Sequence, residues 1–126
     1  MTTIEIIESD ELLALDIKVA ELLATVRTER AKLFNIKTAQ LSDILDQQIA
    51  GTLSAADAKK ATAKVHADHA AARKPFKLLA EEAQNLNNSV FDLIKNDIIS
   101  IKEQNPGKLV TIKPSKFQGQ RMVAVQ

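Results

Sequence analysis

Residues 55–93 read AADAKKATAKVHADHAAARKPFKLLAEEAQNLNNSVFDL. Ala55, Ala58, Thr62, Val65, His69, Ala72, Phe76, Leu79, Ala83, Leu86, Val90 and Leu93 follow one another at steps of three and four, the spacing that aligns one stripe on an α-helix. The first half of the stripe is mainly Ala and Thr and the second mainly Phe, Leu and Val. A partner helix can therefore come close at one end and is held farther off at the other.

That partner lies upstream. From Asp10 to about Ala50 the chain has no Gly or Pro, and Leu12, Leu15, Val19, Leu22 and Val26 repeat the same alternation. The stripe passes through Glu29, resumes at Leu33 and Ile36, then moves to Leu41, Ile44, Leu45 and Ile49. Such drift signals a coiled-coil stutter or a break near Asn35 to Thr38, and a single helix over 10–50 is the reading adopted. Gly51-Thr52 closes it, and Ser54 with Asp57 resembles the capping pair that opens a new helix. Folding back at Gly51 lays the bulky Leu41, Ile44, Leu45 and Ile49 against the Ala-rich half of the second helix, so size complementarity and turn signals agree on a helical hairpin. Pro75 removes one helix hydrogen bond and predicts a kink near Ala71 to Lys74. Asn105-Pro106-Gly107 ends the second helix, which spans 54–104.

The two ends of the chain have strand composition. Ile4-Glu5-Ile6-Ile7 is β-branched around one acid and precedes the helix signal Ser9-Asp10-Glu11, which gives a short strand over 2–8. Lys108–Lys113 and Arg121–Gln126 flank a loop with Pro114 and Gly119 and read as a β-hairpin over 108–126. A two-stranded hairpin is marginal in water. A helical hairpin brings residues 10 and 100 to one end, where the three strands can share a sheet. The fold class expected is mainly α: a long kinked antiparallel helical hairpin with a small sheet formed by the N-terminal strand and the C-terminal β-hairpin, in one domain over 1–126.

Composition agrees. The 126 residues are 45% hydrophobic and 26% charged, too apolar for a disordered chain, and 3 Gly with 3 Pro are too few for a many-stranded sandwich. No apolar run approaches the roughly 18 residues of a membrane span, and MTTIEIIESDE has neither the basic start nor the apolar middle of a signal peptide. The expected location is cytoplasmic or within an intracellularly assembled particle, with no membrane partner. The absence of Cys removes disulfides, thiolate metal sites and Cys nucleophiles.

Net charge is +1, but charge is unevenly placed. Residues 1–16 carry Glu5, Glu8, Asp10, Glu11 and Asp16 with no base, and residues 108–126 carry Lys108, Lys113, Lys116 and Arg121 with no acid. Opposite charges on the two end segments favour their pairing. A middle block of Lys59, Lys60, Lys64, Arg73, Lys74 and Lys77 contains only Asp68 as an acid. These six residues are candidate phosphate contacts, and nucleic acid is a possible partner on that ground. Trp and Tyr are absent and only four Phe occur, so base stacking of the usual sheet modules is not expected.

Catalytic patterns are missing. His66 and His69 lie i and i+3 on one helix, but zinc takes three or four ligands. His69 sits in the apolar stripe as a semi-polar packing residue whose burial would resist protonation, so that mild acid loosens the hairpin. No Gly-rich phosphate loop occurs. No enzyme activity, cofactor or metal is expected. About 40 helical residues make a rod of about 60 Å, and two rods meet along one stripe only. Leu13, Leu23, Phe34, Leu78, Phe91 and Ile98 fall beside the main stripes and are the candidate self-association residues, with strand addition through Val123 and Val125 as a second route. The function expected is a non-enzymatic assembly or adaptor subunit, a coiled-coil homo-oligomer within a larger particle such as a virion. The rival is a nucleic-acid accessory protein using the basic block.

Overall fold

The structure, a computed structural model, describes residues 2–126. Strand β1 (Thr3–Glu8) leads into helix α1 (Asp10–Ile49), followed by helix α2 (Ala55–Gln104) and strands β2 (Val110–Lys113) and β3 (Gln120–Val125). The two long helices form a hairpin, and the strands form one antiparallel sheet in the order β1-β3-β2.

Each helix boundary has a local cause. Ser9 caps α1: its hydroxyl accepts the Leu12 N–H at 3.1 Å and its carbonyl the Leu13 N–H at 3.0 Å, which satisfies amides with no partner inside the helix. Ser54 does the same for α2 through Asp57 N–H at 3.2 Å and Ala58 N–H at 2.8 Å. The end of α1 is a Schellman turn, with Thr52 N–H donating to Gln47 O, Gly51 N–H to Gln48 O, and Gly51 at φ 75°, a conformation that glycine adopts without a Cβ penalty.

Both expected weak points lie inside continuous helix. α1 passes through Asn35–Thr38 unbroken, and α2 passes unbroken through Pro75. Proline deprives the carbonyl four residues back of its donor; Ala71 is exposed, so water can replace it. Ser89 lies within the same helix and donates to Asn85 O at 3.0 Å, the back-bond of a serine inside a helix.

The chain divides into two compact units. The first, residues 1–22 and 81–126, holds the sheet. Ile7, Leu12, Val90, Ile94, Ile98, Ile101, Val123 and Val125 form its core, with Leu15, Leu93 and Val110 packed against it. The three strands contribute to this core from one face, because Ile7, Val123 and Val125 alternate with residues pointing the other way.

The second unit, residues 23–80, contains the helical turn. Val26, Ala58 and Val65 are buried there, and Leu33, Leu41, Ile44, Thr62, His69, Ala72, Phe76 and Leu79 are half-buried. Two expectations change. Ile36 is 54% exposed while Lys37 is half-buried in its place, because the buried positions of α1 advance by fours through Leu33, Lys37 and Leu41. The step then returns to three, from Leu41 to the half-buried Ile44, which turns Leu45 (56% exposed) and Ile49 (76%) away from the stripe that they were expected to complete.

Candidate interaction surfaces

The sheet has one covered face and one open face. On the open face, the register sets Ile4 beside Ala124, Ile6 beside Met122 and Glu8 beside Gln120, with Thr111 and Lys113 on the other flank of β3. Ile4 and Ile6 are exposed, and the Gln120 amide donates to Glu8 Oε2 at 2.9 Å. Leu109, next to Gln126 through a closed pair of 2.9 Å backbone bonds, is exposed at the same face. An antiparallel sheet with one face in water ordinarily alternates apolar and polar residues; here Ile4, Ile6 and Leu109 are apolar on the water side.

Strand β3 is locked to α1 by charge. The Arg121 guanidinium donates to both oxygens of Asp16, Nη1 to Oδ2 at 2.8 Å and Nη2 to Oδ1 at 2.7 Å, and Gly119 N–H donates to Oδ2 at 2.8 Å. The arginine bonds hold the Asp16 carboxyl below its ordinary pKa against the opposing effect of burial, and Gly119 helps. Asp16 in turn raises Arg121. The complementary end charges thus meet between a helix and a strand; no ion pair crosses the strands among the described residues.

The candidate self-association residues separate into two groups. Leu13, Leu23, Phe34, Leu78 and Phe91 are exposed, from 37% for Leu13 to 60% for Phe34. On α1, Leu23, Phe34 and Leu45 recur every eleven residues, about three turns, and so share one side of the helix. Ile98 is 6% exposed, Val123 0% and Val125 2%, which corrects the sequence reading for those three. Ile98 follows Ile94 by one turn on the core side of α2. Val123 and Val125 lie on the middle strand, whose two edges are occupied by β1 and β2, so β3 cannot take up another strand. The available edges belong to β1 and β2.

The candidate phosphate contacts Lys59, Lys60, Lys64, Arg73, Lys74 and Lys77 are all exposed. Lys60, Lys64 and Lys74 lie on the side of α2 opposite its buried stripe, Lys59, Arg73 and Lys77 flank that stripe, and none of the six forms an ion pair among the described residues. His69 is half-buried and His66 exposed. An open cleft of about 230 Å³ beside His69 is lined by Leu33, Ile36, Lys37, Gln40, Asp68 and Ala72. Desolvation lowers the His69 pKa, and the positive charges of Lys37 and Arg73 add to the effect, as does His66. Among the described residues no three His, Cys, Asp or Glu side chains are grouped to hold a metal ion. Among the described residues no helix is long and apolar enough to cross a membrane.

No protein-family model, no curated protein and no solved structure matches this chain.

Proposed function

We propose that the chain is a non-enzymatic structural subunit that assembles with copies of itself, or with other subunits of a larger particle, through its helix faces and terminal strands. The observation that supports this reading is the balance of apolar surface. Among the described residues, exposed large hydrophobic side chains outnumber the buried ones, and of the large side chains only Leu12 and Val123 are fully enclosed. The excess occurs in each unit: Ile4, Ile6, Phe91, Leu109 and Phe117 in the first, Leu23, Phe34, Ile36, Leu45, Ile49 and Leu78 in the second. Helix faces and strand edges that carry exposed apolar side chains are common sites of self-association.

Phosphate binding is the second reading, favoured by six exposed and unpaired bases on α2. Light scattering coupled to size exclusion, at two salt concentrations and with or without a DNA fragment, separates the two. Assembly predicts a multimer at micromolar concentration that persists in high salt. A monomer that shifts with DNA at low salt only would replace the first reading by the second, since phosphate contacts weaken steeply with salt.

A further inference from the structure

The sheet leaves two free edges, and their hydrogen-bonding phase can be read from the strand pairs. Ser9 N–H donates to Gly119 O, one step beyond the Glu8 and Gln120 pair in the β1–β3 register. Bonded and non-bonded pairs alternate in an antiparallel ladder, so Thr3, Glu5 and Ile7 bond toward β3. Ile4, Ile6 and Glu8 therefore direct their N–H and C=O groups to the outside. On the opposite side Leu109 and Gln126 exchange both bonds, so Thr111 and Lys113 bond toward β3 and Val110 and Ile112 face outward. The two assignments agree, since odd residues of β3 then serve β1 and even ones serve β2.

We propose that copies of this chain join head to tail, with β1 of one copy added in parallel to β2 of the next to make a continuous sheet. This rests on the self-assembly reading and names its contact surface. Within one copy β1 and β2 are both antiparallel to β3 and hence parallel to each other. A copy displaced sideways without being turned over presents its β2 parallel to β1. In a parallel ladder a residue bonds to the two neighbours of the residue opposite it, whose own groups point away. Ile6 then bridges Val110 and Ile112 of the next copy, with Thr111 opposite.

That register sets Ile4 opposite Leu109, Ile7 opposite Ile112 and Glu8 opposite Lys113. Two exposed apolar positions, Ile4 and Leu109, cover each other, and the acid meets the base. Past the strands, Asp10 and Glu11 follow β1 on the side where Lys116 follows β2. Pairing β1 with a second β1 would instead bring together two strands whose only charges are the acids Glu5 and Glu8. The protection of these edges is the shortness of β2 and the charges Glu5, Glu8 and Lys113, of which Glu8 and Lys113 neutralise each other in this register. Space for an added strand exists beside β1, where an open cleft of about 310 Å³ separates it from Asp97, Ser100 and Gln104 of α2. A heterologous contact of this kind closes into a ring or extends as a filament.

The native chain has no cysteine, so engineered thiols report this contact without background. The double variant Glu8→Cys with Lys113→Cys, treated with a short thiol cross-linker, is expected to give a ladder of covalent multimers on a denaturing gel. Mixed single variants should stop at the dimer, and neither alone should cross-link. Covalent dimers from Glu8→Cys alone would overturn the proposal in favour of β1 meeting β1. No ladder from a double variant that still runs as a multimer would overturn the edge contact and leave assembly intact, whereas a monomeric native chain would overturn both. Charge exchange supplies a second route: Glu8→Lys and Lys113→Glu should each lose the multimer peak alone and recover it on mixing. Failure to recover from two folded variants would also overturn the pairing.

Discussion

The first unit encloses a core beneath its exposed apolar residues, whereas the second only half hides the residues of its stripe. Around the sheet, Leu12, Ile94, Ile98, Ile101 and Val123 are nearly inaccessible, whereas along the helical turn only Val26, Ala58 and Val65 reach comparable burial. The difference is one of layers. A sheet laid on helices covers a broad face, while two helices alone touch along a narrow stripe and leave its flanks in water. The second unit also admits Glu29 and Lys37 to half-buried positions, which long side chains tolerate by keeping their charged ends solvated.

The contrast can be broken most directly by truncating a core side chain in each unit. Leu12→Ala should cost about 2–5 kcal/mol in denaturant unfolding, since a fully enclosed leucine leaves a cavity. Leu33→Ala, at a half-buried position, should cost less than half as much. Equal losses would mean that the turn half is as tightly packed as the sheet half.

Two glycines sharpen it further. A Cβ on Gly119 would lie 2.8 Å from Leu13 Cβ and 3.1 Å from Leu13 Cα, on top of φ +80°. Gly119→Ala should therefore cost about 2–4 kcal/mol, combining left-handed strain with overpacking. Gly51, at φ +75° with nothing near, pays only the conformational term, and Gly51→Ala should cost about 1–2 kcal/mol. Thermal unfolding of the two variants measures the difference.

The smallest expected effect is a two-stage loss of stability in acid. The His69 pKa is lowered on folding, so the unfolded chain takes up that proton first. Its contribution should fade as pH drops below about 6.5 and be gone below the depressed folded value. Asp16 is also lowered, so the stability that it confers is present above about pH 4 and is lost as pH falls through its folded pKa. His69→Gln should remove the first stage and Asp16→Asn the second in a pH series of melting curves. If His69→Gln leaves the mild-acid slope unchanged, another group is responsible for it.

Much of this architecture was legible because it is local. The repeat from Ala55 to Leu93, the caps Ser9 and Ser54, and the turn at Gly51 all act within a few residues, and the strand composition of the two ends left them little choice but to pair. What could not be read depends on distant partners. Asp16 and Arg121 sit more than a hundred positions apart, and nothing near Gly119 announces that Leu13 presses on it. Ile98, Val123 and Val125 were mistaken for contact residues for a related reason. The strand order decides whether β3 is an edge or the middle, and two short strands at one end of a sequence do not reveal on which side the third will add. The exposure of Leu13, Leu23, Phe34, Leu78 and Phe91 was legible from their places off the stripe, but the phase of the free edges needed the hydrogen bonds themselves.

The pairing of Thr3 with Val125 also orders events during synthesis. β1 leaves the ribosome before either long helix, and β3, its neighbour in the sheet, is made after both. Throughout that interval the β-branched segment Ile4–Ile7 waits unpaired while local helical structure can already form. Nascent chains on one message are thus open to mispairing through β1 until β3 emerges, and the acids Glu5 and Glu8 supply the mutual repulsion that keeps neighbouring copies apart in the meantime.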